Sequence, residues 1–83
     1  MSPRNAAEWV ADIIENDYAD AALGAEYLDR LLSSIKYFGP GKITRCLRTA
    51  GVFYGHIRLR TMTERQRSAV AAQLRLWGAG YRS

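Results

Sequence analysis

The sequence has a single cysteine and a single histidine. Cys46 therefore has no partner for an internal disulfide, and with His56 it falls short of the four ligands of a structural zinc site. The reading for Cys46 is a small buried apolar side chain. No apolar run approaches the roughly 20 residues that cross a bilayer. Met1-Ser2-Pro3-Arg4 leads into polar, acidic sequence rather than a signal core, so a cytoplasmic protein without membrane contact is expected. Repeats and low-complexity tracts are absent. Acid is scarce in one half only: after residue 34 Glu64 is the sole carboxylate. With one histidine and one carboxylate there, the basic half has no paired groups for acid–base or nucleophilic work, and neither catalysis nor a cofactor is expected.

What is present is a folded chain with a divided charge. Hydrophobic residues make up 48% of its 83 positions, which argues against disorder and allows one domain, residues 1–83. A chain of this size buries only roughly 60–65% of its unfolded surface, so its stability margin is small or is completed by a partner. Residues 1–34 hold two arginines and seven acids, a net charge of −5, whereas residues 35–83 hold ten basic groups and one acid, a net charge of +9. A one-sided basic half is the electrostatic footprint of a nucleic-acid binder.

Helical periodicity organises most of the chain. Asn5 and Glu8 suggest a capping box ahead of a first helix whose apolar face is Ala6, Trp9, Val10, Ile13 and Ile14. Its acidic face, Glu8, Asp12 and Glu15, is either solvated or docks on something basic, a second copy's arginines included. After a turn at residues 16–20, Asp20 is placed to cap a second helix carrying Leu23, Tyr27, Leu28, Leu31, Leu32 and Ile35, with Gly24 weakening its start. Gly39-Pro40-Gly41 breaks it. A third helix spans about Lys42 to Ala50, with Ile43, Cys46, Leu47 and Ala50 inward, Lys42, Arg45 and Arg48 outward, and Gly51 as its left-handed terminator. Phe53, Tyr54 and Ile57 read as partly buried, and Ile57-Arg58-Leu59-Arg60 alternates as a short strand does. Thr63 to Gln66 forms a second capping box for a helix to about Trp77, with Val70, Leu74 and Trp77 as its core stripe and Gly78-Ala79-Gly80 releasing the tail. The expected fold is all-α, a small bundle of about four helices.

The chemistry concentrates between Phe38 and Arg67. A Gly39-x-Gly41 hairpin between helices lets backbone approach an anion at the free N–H groups of the next helix, with Lys42 at its start. A second helix start at Thr63 sits beside Arg65 and Arg67, and Arg58 and Arg60 lie between the two. Arg45 and Arg48 add charge along the third helix, and His56 is a backbone contact or simply exposed.

These residues carry a resemblance. Gly39-Pro40-Gly41-Lys42 after an apolar helix is similar to the hairpin of helix-hairpin-helix DNA-binding motifs. Gly41-Lys42-Ile43, the amphipathic run Arg45 to Ala50, Arg58-Leu59-Arg60 and Glu64-Arg65-Gln66-Arg67 together resemble the helix–two-turns–helix module of the mycobacterial-type integration host factors, the actinobacterial nucleoid-associated proteins. The likeness covers about residues 31–76, and a phage-encoded or otherwise divergent relative fits it. It implies a basic DNA-binding module over residues 35–77 that holds the backbone of double-stranded DNA without reading sequence, and bends, bridges or compacts the duplex in the nucleoid. Carried over by position, Gly41, Lys42, Arg58, Arg60, Arg65 and Arg67 are the phosphate contacts. The chain departs from the family in a connector one residue shorter before Arg58 and in Thr61 and Thr63, where glycines are usual. An acidic first helix also stands in place of a long basic one, which makes residues 1–34 a helical support or a self-association region. Two other readings stand beside DNA binding: a protein–protein module or inhibitor acting on a host protein, and RNA binding by the same module.

Overall fold

The computed structural model describes residues 2–80. Among them are four α-helices and no β-strand: α1 Pro3–Asn16, α2 Leu28–Ser33, α3 Pro40–Thr49 and α4 Glu64–Gly80, with 3-10 turns at Leu23–Ala25 and Leu59–Thr61. The all-α expectation holds.

Helix α1 begins earlier than Asn5 because Ser2-Pro3 is the better start. The Ser2 hydroxyl accepts from the Asn5 N–H at 3.2 Å, and Pro3 occupies the first turn, where its missing N–H costs nothing. The buried stripe is Ala7, Val10, Ala11 and Ile14 with Ile13, rotated from the expected one, so that Trp9 is left 57% exposed. The rotation turns two alanines toward α4. The helices run antiparallel, with Gly78 beside Arg4 and Ala7 and Arg75 beside Glu8, Asp12 and Glu15. Small residues let the axes approach: a Cβ added at Gly78 would lie 3.2 Å from that of Ala7. This contact carries α4 through Gly80, beyond the expected end at Trp77. The three-residue tail after Gly80 lies outside the described residues.

The second expected helix is divided. Asp20 does act as a cap, its carboxylate accepting from the N–H groups of Leu23 and Ala22 at 2.9 and 2.8 Å, and these bonds hold its pKa below the usual value. The element it caps is a single 3-10 turn. The backbone then runs extended through Glu26 and Tyr27, and Tyr27 forms an isolated antiparallel bridge with Arg58. The first N–H groups of α2 are satisfied by the connector, Leu28 donating to Ile57 at 2.8 Å and Asp29 to Gly55 at 3.0 Å, while Leu59 donates to Glu26 at 3.1 Å. Tertiary hydrogen bonds thus override the helical period of Leu23 to Ile35. The same pairing limits the alternating run Ile57–Arg60 to one bridge before it coils into the second 3-10 turn.

Helix α2 ends at Ser33, well before the glycines, and Tyr37 rather than a glycine takes the left-handed conformation, at φ 69°. Helix α3 begins at Pro40 and ends as its residues suggest. Gly51 has φ 73°, its N–H reaches Arg48 at 3.2 Å, and the Val52 N–H reaches back to Leu47 at 2.8 Å, a Schellman closure. The Thr63 box also forms: its hydroxyl accepts from the Gln66 N–H at 3.1 Å and the Gln66 side chain accepts from the Thr63 N–H at 3.0 Å. Among the described residues, seventeen buried apolar ones from all four helices and the connector form one core around Ile14, Leu28, Leu32, Leu59, Val70 and Leu74.

Gly24 marks the tightest backbone approach. A Cβ there would sit 2.1 Å from the Tyr18 carbonyl oxygen, which is main chain and cannot swing aside. Gly24→Ala should therefore lower stability by about 2 kcal/mol or more, the upper part of the overpacking range. Gly41→Ala, whose Cβ meets open space, should be neutral or slightly stabilising. Urea midpoints of the two variants check the contrast.

Candidate nucleic-acid interface

The residues singled out by sequence fall into three groups. Lys42, Arg45 and Arg48 are all exposed and stand three positions apart on α3, so they form a rising stripe. None is paired with a carboxylate among the described residues; Lys42 folds back only as far as the Tyr37 carbonyl, 3.3 Å from its Nζ. Lys42 and Arg45 share one shallow cavity with Gly39, Pro40 and Gly41. Gly39 is the N-cap of α3 without a side-chain cap, and no acid lies in the first turn. The N–H groups of Gly41 and Lys42 therefore face outward in an uncontested positive field.

The second group is the connector. His56 stacks on Tyr27 with ring centroids 3.8 Å apart, and its Nδ1 lies 3.2 Å from Asp29. The Arg58 guanidinium sits 5.5 Å from the same tyrosine ring, and Arg60 donates to the Ala21 carbonyl at 3.0 Å while staying exposed. Tyr54 meets His56 edge-on at 6.4 Å. Arg48 and Phe53 line one cavity of about 350 Å³. A continuous path of neighbours thus runs from Lys42 along α3, over the loop after it, to Arg58.

The third group, at the start of α4, divides. Arg65 is exposed, but Arg67 is only 8% exposed, its guanidinium 3.6 Å from the Tyr18 ring centre and donating to the Met62 carbonyl. Arg67 ties the end of α1 to the start of α4 and has no face for a phosphate. The helix start itself is less open than that of α3, because Thr63 and Gln66 satisfy each other and Glu64 places a negative charge in the first turn. The Phe38 ring packs edge-on against Trp77 at 5.0 Å, which puts the α3 start beside the far end of α4. The two helix starts therefore stand about 20 Å apart, roughly one helix length.

The acids of the N-terminal half divide: Asp29 faces His56 at the connector, and others are turned toward α4. Arg75 receives three of them: Glu8 at 3.3 Å, Asp12 at 2.8 Å and Glu15 in the closest contact. Hydrogen bonding to Glu15, reinforced by Asp12 and Glu8 against the opposing effect of burial, raises the guanidinium pKa above its usual value. Of the two readings of the acidic face, solvated or docked on something basic, the structure combines both: Glu8 and Asp12 stay largely exposed while all three acids meet Arg75 of the same chain. Phe53 and Tyr54 reverse their expectation: they are fully and 67% exposed, and Val52 takes the inward position instead. The available signal was their placement between Gly51 and Gly55, a turn too tight to bury two large rings.

Cys46 is buried among α3 and α4, and desolvation pushes its thiol up to about 11. No protein-family model, curated protein or solved structure matches this chain.

Neutralising Asp12 and Glu15 together (Asp12→Asn, Glu15→Gln) should lower the urea midpoint by an amount worth about 1 kcal/mol, since the cluster is partly exposed, and leave the sedimentation coefficient unchanged. Loss of oligomers with unchanged stability would assign the acids to self-association. At pH 8 iodoacetamide should label Cys46 far more slowly in the native protein than in urea. Because its folded pKa is raised, the stability that the neutral thiol contributes is complete below the unfolded value near 8.5–9 and is lost as pH rises through about 11. The Cys46→Ala variant should lack that alkaline component in pH-dependent urea melts.

Proposed function

We propose that this chain is a non-enzymatic double-stranded DNA-binding protein. It holds the sugar-phosphate backbone with little regard to sequence and bends, bridges or compacts the duplex. One observation carries the reading: Lys42, Arg45, Arg48, Arg58, Arg60 and Arg65 all reach solvent and none has a carboxylate partner among the described residues, while three acids of the opposite half surround Arg75. Exposed guanidinium groups without carboxylate partners keep donors for phosphate oxygens. The uncapped α3 start, with open space at Gly39 and Gly41, adds backbone donors at the head of the same stripe. The resemblance to the mycobacterial-type integration host factors supports the architectural role and a place in the nucleoid. Phosphate contacts position a protein without reading bases, so affinity is expected to be similar across duplex sequences.

Titration of a random duplex at several salt concentrations tests this. With five or six phosphates neutralised, the slope of log K against log salt is expected to be roughly −4 to −6, at about −0.9 per contact. Arg58→Ala with Arg60→Ala should weaken binding to all sequences alike and make the slope about 2 shallower, and Lys42→Ala with Arg45→Ala should do the same. Arg67→Ala should act on the urea midpoint first. A flat salt response, or tighter binding to double-stranded RNA than to DNA, would overturn the reading.

A further inference from the structure

We propose that the loop tip Phe53–Tyr54 is a wedge that enters between base pairs of the bound duplex, with Phe53 as the inserting side chain. The proposal rests on the duplex-binding reading and adds to it a site of deformation. Phe53 is completely exposed and Tyr54 67% exposed, yet their neighbour Val52 is only 5% exposed. The rings are therefore presented by a loop whose base is anchored in the core.

That base is rigid. On the entering side the Val52 N–H is held by Leu47 at 2.8 Å and Gly51 takes a φ of 73°. On the leaving side the Gly55 carbonyl accepts from the Asp29 N–H at 3.0 Å, and a Cβ at Gly55 would lie 2.8 Å from the Leu47 Cδ1. Glycine at 55 lets the leaving segment press onto α3, so the two rings project from a pinched neck. A preformed projection gives up little conformational freedom when it inserts.

The surroundings select the occupant. Arg48, on the helix that leads into the tip, lines a cavity with Phe53, and Arg58, on the segment that leaves it, sits over the Tyr27 ring. Tyr54, His56 and Tyr27 form an aromatic series between the tip and Arg58. The carboxylate beside this series is Asp29, which is engaged by His56 at 3.2 Å and by the Arg30 N–H at 2.8 Å. An exposed apolar ring beside one arginine, with a second arginine farther along the segment that leaves it, suits a ligand whose apolar stack is flanked by phosphates. Apolar side chains that part a base step unstack it and kink the duplex by about 20–90°. Arg48 beside the ring, and Arg58 farther along, are the cations for phosphates near the opened step.

The test uses the full chain and a duplex of about 30 base pairs carrying end-to-end energy-transfer dyes and internal 2-aminopurine. The wild-type protein should shorten the end-to-end distance and raise 2-aminopurine fluorescence. Phe53→Ala should remove both signals while affinity falls less than tenfold and the salt slope stays constant. Phe53→Leu should retain both, because a wedge needs bulk rather than an aromatic face. Bending by Phe53→Ala equal to wild type would overturn the wedge, as would binding of the wild type with no rise in fluorescence. Loss of both signals in Phe53→Leu, or tighter Phe53-dependent binding to the single strand than to the duplex, would replace the wedge with a stacking platform. Absence of any duplex binding by the wild type would instead remove the underlying reading, so the two failures are distinct.

Discussion

The close antiparallel contact of α1 with α4 is the constraint on which the molecule depends. Ala7 and Ala11 on one helix and Ala71 and Gly78 on the other are buried, and Gly78 rests directly on Ala7. Small side chains bring the axes together, and that proximity places Arg75 among Glu8, Asp12 and Glu15. A partly exposed ion cluster contributes little by itself, but it fixes register and rotation in a pair that the apolar contact has already brought together. Arg67 closes the other end of the pair by covering Tyr18 and reaching the Met62 carbonyl. With α1 and α4 set, α2 and α3 fill the remaining side of one core.

That arrangement also sorts the charge. The helix that supplies three of the early acids directs them at α4, leaving the lysine and arginines of α3 and the connector without a carboxylate partner among the described residues. An acidic segment in a basic protein would weaken attraction for a polyanion if it lay beside the binding face. Here three of its seven acids are gathered on Arg75, while Lys42, Arg45 and Arg48 rise along a different helix. The acidic helix thus has a place in the structure: it stabilises the scaffold that presents the α3 stripe.

The connector between α3 and α4 joins scaffold to surface. Its backbone caps α2 through Gly55 and Ile57, and its side chains assemble Tyr54, His56, Tyr27 and Arg58 into one series. The same hydrogen bonds that interrupt the second expected helix hold the loop tip in place. Irregular backbone in a helical protein is costly unless its polar groups are satisfied, and here the satisfied turns carry the most exposed rings among the described residues.

Local features were legible in the residues themselves. The helical class, the Thr63–Gln66 box, the Gly51 terminator, the Asp20 cap and the outward stripe of α3 depend on interactions within a few positions, which spacing encodes directly. The division of the second helix, the rotation of α1 that exposes Trp9, the withdrawal of Arg67 and the exposure of Phe53 were decided by tertiary structure. Each turns on a partner distant in sequence: Tyr27 on Arg58, Ala7 on Gly78, Arg67 on Tyr18, Gly55 on Asp29. Periodicity states which side chains prefer burial. Which of them are buried, and which cations stay in water, depends on the geometry of helices closing on one another.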